Sequence, residues 1–151
     1  NRWLNDVNAI TNDGTIFHNI ISKIKHHSEI SKILEGFLAQ GKISKTQRKE
    51  FESKIKSIFN HKKLKKYFHS EFKTFNEREI LTKSGKTLIP DKLVFLHRNK
   101  VGIIDYKTGK KNNAHKQQLN IYEEALKNMG IITHEKVLIY TDNKIEVEIF
   151  K

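Results

Sequence analysis

The sequence predicts an α/β domain, a mixed β-sheet with helices packed on both of its faces. Two observations carry this. Before residue 70, apolar side chains recur at three- and four-residue spacing, the period of helices with one buried face. Beyond residue 73, apolar runs of strand length are separated by Gly, Pro and Asp-Asn turns, with a single helical stretch among them. A chain of 151 residues is one domain by size. It can bury roughly two-thirds of its unfolded surface.

The first predicted helix runs from Gly14 to His27 on a stripe of Ile16, Phe17, Ile20, Ile21 and Ile24, with Asp13 or Asn12 as its cap. A short helix follows from Ile30 to Ala39, and Gly41 stops it. A third runs from Lys45 to Phe59 on Phe51, Ile55, Ile58 and Phe59, and the basic run HKKLKKYFH (61–69) continues it by a turn or two. The period then changes. TFNEREIL (74–81) reads as a strand leading to a Ser84-Gly85 turn, TLIPDKLVFL (87–96) as a second and VGIIDYK (101–107) as a third, with HRNK (97–100) as a hairpin loop. A helix from Ala114 to Asn128 ends before Gly130. Two strands, 134–141 and 144–150, close the chain around an Asp142-Asn143 turn.

Composition narrows the chemistry. There are no cysteines, which excludes disulfides, thiolate zinc sites, iron–sulfur clusters and cysteine nucleophiles, and fits a cytoplasmic protein. No apolar run approaches the ~20 residues of a membrane helix, and no signal peptide opens the chain. It begins at Asn1 without methionine, so a fragment of a longer protein is expected. The formal charge of +12 attracts polyanions, nucleic acid first among them. Lys62, Lys63, Lys65 and Lys66, with Lys110 and Lys111 further on, are the candidate contacts. A solvated helix face is the plainer reading of the 61–69 run.

The chemistry concentrates in LIPDKLVFLHRNKVGIIDYKTGK (88–110). Side chains alternate faces along a strand, so Asp105 and Lys107 share one. If the hairpin turns about Arg98, positions summing to 196 are opposed and Asp91 faces Asp105. A turn half a residue later requires a bulge to bring them together. Opposed carboxylates in a half-buried sheet repel, and a divalent cation resolves the conflict. Pro90 marks a bend or an edge there. The plainer readings are a turn acid at Asp91 and a strand-end ion pair between Asp105 and Lys107.

Pro90-Asp91, thirteen residues, then Asp105-Tyr106-Lys107 resembles the PD-(D/E)XK nuclease pattern. IIDYKTGK followed by QLNIY (118–122) is similar, more narrowly, to the nuclease domain of RecB/AddA-type helicase–nucleases. GTIFH (14–18) and NEREI (76–80) agree with it. The resemblance spans essentially the whole chain and implies a restriction-endonuclease-like fold. It implies a metal-dependent deoxyribonuclease, an exonuclease on single-stranded DNA ends in repair or recombination, working with helicase motor domains in the same chain or complex. His18, Asp91, Asp105 and the Tyr106 carbonyl match its ligands for Mg²⁺ or Mn²⁺. Lys107 matches the catalytic lysine, Gln118 and Tyr122 the pair that orients DNA or active-site groups, and Glu77 the upstream glutamate, with Glu79 on the same strand face. The absence of cysteine sets the chain apart from the iron–sulfur branch. Lys92 stands where many relatives carry arginine, a difference expected to act on substrate contacts.

The residues alone support part of this. His18 lies off the centre of its helix's apolar stripe. Gln118 and Tyr122, four apart, are neighbours on one helix face, although Tyr122 alone reads as core beside Leu119, Leu126 and Met129. The other histidines, His115 among them, lack partners at metal spacing and read as surface or DNA-facing. Two alternatives remain in play: a catalytically weak, nuclease-like module that grips DNA, and a docking domain for a helicase.

Overall fold

The computed structural model describes residues 13–68, 71–142 and 144–151. Helix α1 covers 13–21, α2 Ile30–Ala39 and α3 Lys45–Phe59. Strands β1 (Lys73–Asn76), β4 (Lys92–His97), β5 (Lys100–Lys107), β6 (Ile132–Tyr140) and β7 (Glu146–Phe150) form one sheet in the order β1-β4-β5-β6-β7. Strands β2 (Ile80–Leu81) and β3 (Thr87–Leu88) pair separately, and helix α4 (Asn113–Lys127) joins β5 to β6. The β5–β6 pair is parallel and its neighbours are antiparallel. A parallel pair needs a long crossover, which α4 supplies. No described helix is long and apolar enough to cross a membrane.

Alternation along the strands divides the core. Val94, Ile104, Tyr106, Val137 and Ile139 face α1, α2 and α3. Leu93, Ile103, Leu138 and Tyr140 face α4, which buries Leu119, Tyr122 and Leu126. Each such side chain contributes about 1.5–3 kcal/mol relative to exposure. Helices therefore flank both faces of the sheet, as the alternating pattern predicts. Met129, expected on the α4 stripe, is instead exposed just past the helix end.

Local signals explain most boundaries. Ser44 and Gln47 form a reciprocal cap that starts α3: the Ser44 hydroxyl accepts from Gln47 N and the Gln47 side chain accepts from Ser44 N. The Asn112 side chain accepts from Ala114 N and starts α4. Gly41 and Gly130 follow α2 and α4 with φ of 69° and 81°, the left-handed stop that glycine adopts without strain.

Three expectations change. The first helix ends at residue 21, not 27. Its last turn tightens, with Lys23 N donating to Ile20 O and Ile24 N to Ile21 O. The Lys25 and His26 amides then turn to the Glu29 carboxylate. Asp13 lies within the described helix and accepts from Gln47 Nε2 rather than capping, and Asn12 lies outside the described residues. The 61–69 run forms a 3-10 turn over Lys65–Phe68. The expected strands 74–81 and 87–96 each split, at 77–79 and at 89–91, and give the small β2–β3 ladder. Pro90 has no amide to donate, so the ladder breaks beside it.

Candidate active site

The β4–β5 hairpin sets the site. From Lys92↔Ile104 to Phe95↔Val101 the paired positions sum to 196, whereas the turn itself pairs His97 with Lys100. A bulge at Leu96 reconciles the two, so the later turn with a bulge is the form adopted. The register carried one step further opposes Asp91 to Asp105. The two strands exchange bonds there: Asp91 N donates to Asp105 Oδ1 at 2.9 Å, and Tyr106 N donates to Asp91 Oδ2 at 2.8 Å. Each carboxylate thus satisfies a backbone amide of the facing strand.

The remaining groups arrive from both faces. From α1, His18 Nε2 lies 3.1 Å from Asp91 Oδ2. From α4, the Gln118 Oε1 accepts from Lys107 Nζ at 2.5 Å, and Lys107 Nζ lies 3.5 Å from Asp105 Oδ2. One turn beyond Gln118, the buried Tyr122 hydroxyl sits 3.5 Å from the Ile89 carbonyl, the outer limit of a hydrogen bond. The Tyr106 ring turns to the opposite face, edge-on to His18 at 6.3 Å, and its buried hydroxyl has no hydrogen-bond partner among the described residues. Glu77 N donates to Asp91 O at 3.0 Å, which fixes Glu77 beside the acid pair. Glu77 has φ of 52°, the left-handed region that a glutamate enters only at a cost of about 1–2 kcal/mol.

The electrostatics follow from burial and like charge. Asp105 is 2% exposed. Burial first, and the Asp91 charge second, push its carboxyl up to about 7. The bond to Asp91 raises the His18 imidazole, burial opposes it, and the fields of Asp91, Asp105 and Glu77 add to the rise. Glu77 rather than Glu79 is the glutamate felt at His18.

A divalent cation suits this donor set. Two ligands at about 2.1 Å on adjacent corners of an octahedron lie about 3.0 Å apart, and His18 Nε2 and Asp91 Oδ2 are 3.1 Å apart. The buried, mutually repelling carboxylates also call for a positive charge. Among the described residues, no group of three or more His, Cys, Asp or Glu side chains is drawn together as a metal cluster. Mg²⁺ does not require one, because it commonly takes one or two carboxylates and fills its shell with water.

The predicted lysines lie in two places. Lys62, Lys63, Lys65 and Lys66 are exposed after α3, but Lys66 Nζ sits 2.9 Å from the buried Glu135. Glu135 pairs with Gly102, five residues along β5 from Lys107, or roughly 16 Å at the rise of a strand. Lys110 and Lys111 are exposed just beyond the end of β5, with Lys111 bonded to Glu146 at 2.9 Å and Glu148 at 3.2 Å.

Lys92 corrects an expectation. It is 1% exposed and points into the helical layer, where it has no surface to offer a substrate. Its Nζ donates to Ile24 O, Lys25 O and Asn76 Oδ1 at 3.1–3.2 Å and lies 5.0 Å from the centre of the Phe68 ring. Burial pulls its pKa down to about 7. Three oxygen acceptors nevertheless call for three N–H donors, which the ammonium supplies and the amine does not.

A cleft of about 940 Å³ opens beside Lys107, between α1 and α3 on one side and the start of α4 on the other. Lys54 and His115 line it; the sequence did not mark Lys54 and read His115 only as a surface or DNA-facing histidine. His115 is half-buried, with Nδ1 3.0 Å from the Tyr140 hydroxyl, so it has a partner that spacing alone did not show.

No protein-family model matches the sequence, and no curated protein matches it. The fold is similar to the crystal structure of SSO0001, at 18% identity and a TM-score of 0.37, over 89% of this chain. This chain spans 66% of the length of that one.

Proposed function

We propose that this chain is a divalent-metal-dependent deoxyribonuclease of the PD-(D/E)XK type, an exonuclease that acts on single-stranded DNA ends. In this reading it is the nuclease part of a helicase–nuclease at work in cytoplasmic DNA repair or recombination. The observation that carries the proposal is the pair of amide-to-carboxylate bonds that locks the two acids together, Asp91 N to Asp105 Oδ1 and Tyr106 N to Asp91 Oδ2, with His18 on one side and Lys107 on the other. Asp91, Asp105, His18 and the Tyr106 carbonyl would hold Mg²⁺ or Mn²⁺. A bound ion of this kind polarises a phosphodiester and lowers the pKa of water.

The chain's own groups do the rest. Lys107 carries its ammonium beside Asp105, where it orients the attacking water and offsets charge developing on the phosphate. Gln118 holds Lys107 by its side-chain oxygen, and Tyr122 braces the Ile89 backbone just before Pro90-Asp91. Degradation of end-labelled single- and double-stranded DNA tests the proposal. Wild type is expected to cut in Mg²⁺ or Mn²⁺, to stop on chelation, and to lose activity in Asp91→Ala. Metal-independent binding without cutting would favour the DNA-gripping module instead.

A further inference from the structure

We propose that the cleft beside Lys107 is a nucleobase site, which receives one unpaired base flanking the scissile phosphate, flat against His115. The phosphate's place rests on the nuclease reading; the base's place rests on the cleft. In open α/β sheets, ligands bind outside the carboxyl ends of parallel strands. The cleft occupies that position at the parallel pair β5–β6, floored by Thr108 and Thr141 just beyond the two strand ends. Its volume falls within the roughly 300–1,000 Å³ of small-ligand pockets, room for a nucleotide and far too little for a duplex. It shares Lys107 and His18 with the acid pair, so a strand with its phosphate there continues directly into it.

Charge decides what part of the strand enters. Lys54 and Lys107 line the cleft against Asp13, Glu50 and Asp142. His18 and His115 also line it, and the three acids leave this set no large excess of positive charge to attract a second phosphate. The set suits a neutral group that is flat and rich in donors and acceptors, as a base is. The His115 ring is the half-exposed flat surface, held by the Tyr140 hydroxyl, and histidine is among the side chains on which unpaired bases stack. Burial and then Lys107 lower its pKa, against an opposing pull from Glu148. Lys54 also lines the cleft, with its Nζ 4.4 Å from the centre of the Phe17 ring, and as a donor it suits a base oxygen or nitrogen. A base in a duplex is not free to turn into this space, so the cleft selects unpaired ends.

The test places a single abasic nucleotide at successive positions around the cut in single-stranded DNA. One position is expected to slow wild-type cleavage about tenfold, the scale of one base–aromatic stack. His115→Ala should cut intact DNA at that reduced rate and be indifferent to the abasic position. A fluorescent adenine analogue at the same position should change its emission on binding wild type but not His115→Ala or Lys54→Ala. Cleavage indifferent to every abasic position, or emission unchanged by wild type, would overturn the base site while leaving the nuclease reading intact. An emission change that depends on His115, without any cutting, would retain the base site and overturn the nuclease reading.

Discussion

Glu77 and Lys92 flank Asp91 with opposite duties. Glu77 presents a carboxylate to the His18 side of the site from a strained backbone at φ 52°. Glu77→Gly and Glu77→Ala both remove that carboxylate, but only glycine removes the strain. Glu77→Gly should therefore be the more stable of the two by about 1 kcal/mol, read as a urea midpoint, with equal loss of metal-dependent cutting. Lys92 instead ties the turn after α1 to β4. Lys92→Met keeps the bulk but leaves the Ile24 and Lys25 carbonyls and Asn76 Oδ1 without their donor, at a cost of about 1–3 kcal/mol. Chemical denaturation checks this, and wild-type stability in that variant would show the ammonium to be dispensable. The reading of Lys92 as a substrate contact failed because a lysine beside a functional aspartate looks polar in a sequence, while strand alternation sends the two to opposite faces.

Among the elements, the β4–β5 hairpin was the most legible. Two acids fourteen apart across a short loop restrict the register to two choices, and the Leu96 bulge picks one. The end of β1 was not legible, because 74–81 read as one strand and nothing local announces that the chain leaves the main sheet at 77–79, whereas Pro90 marked the break between β3 and β4. The start of β6 hides another feature. Glu135 accepts from the Tyr67 hydroxyl and pairs with Lys66, while the Tyr67 ring fills the space over Gly102, where a Cβ would stand 2.5 Å from ring carbon Cε1. Contacts this distant in sequence leave no periodic trace. Burial pushes the Glu135 carboxyl up, but Tyr67 and Lys66 outweigh it, and the net shift is downward. A lowered carboxyl contributes stability above the unfolded-state value, about 4.3, and loses it as pH falls through its own lower value. Glu135→Gln should lose this acid-side decline, measured as thermal stability between pH 6 and about pH 3. A profile with an unchanged acid limb would assign that limb to other carboxylates.

At the scale of the molecule, the sheet brings together residues from four separate elements, with Asp91 at the head of β4, Asp105 and Lys107 on β5, His18 on α1 and Gln118 on α4. Their meeting was anticipated from the resemblance and from strand alternation. The cleft at the carboxyl ends of β5 and β6 was not, because it is made of segments from 13–18, 50–54, 106–115 and 141–142 that share no motif. Charge is likewise uneven. In the basic run after α3, Lys66 is held by Glu135, which pairs with Gly102, five residues along β5 from Lys107. The proposed chemistry rests on Lys107. The most direct measurement is therefore Mg²⁺-dependent cleavage of single-stranded DNA by Lys107→Ala beside wild type, with metal and DNA binding followed in both. The expected result is a loss of cutting of at least a hundredfold, the low end for one acid–base or charge-stabilising group, with both kinds of binding retained. Cutting by Lys107→Ala at the wild-type rate would contradict the assignment of this site.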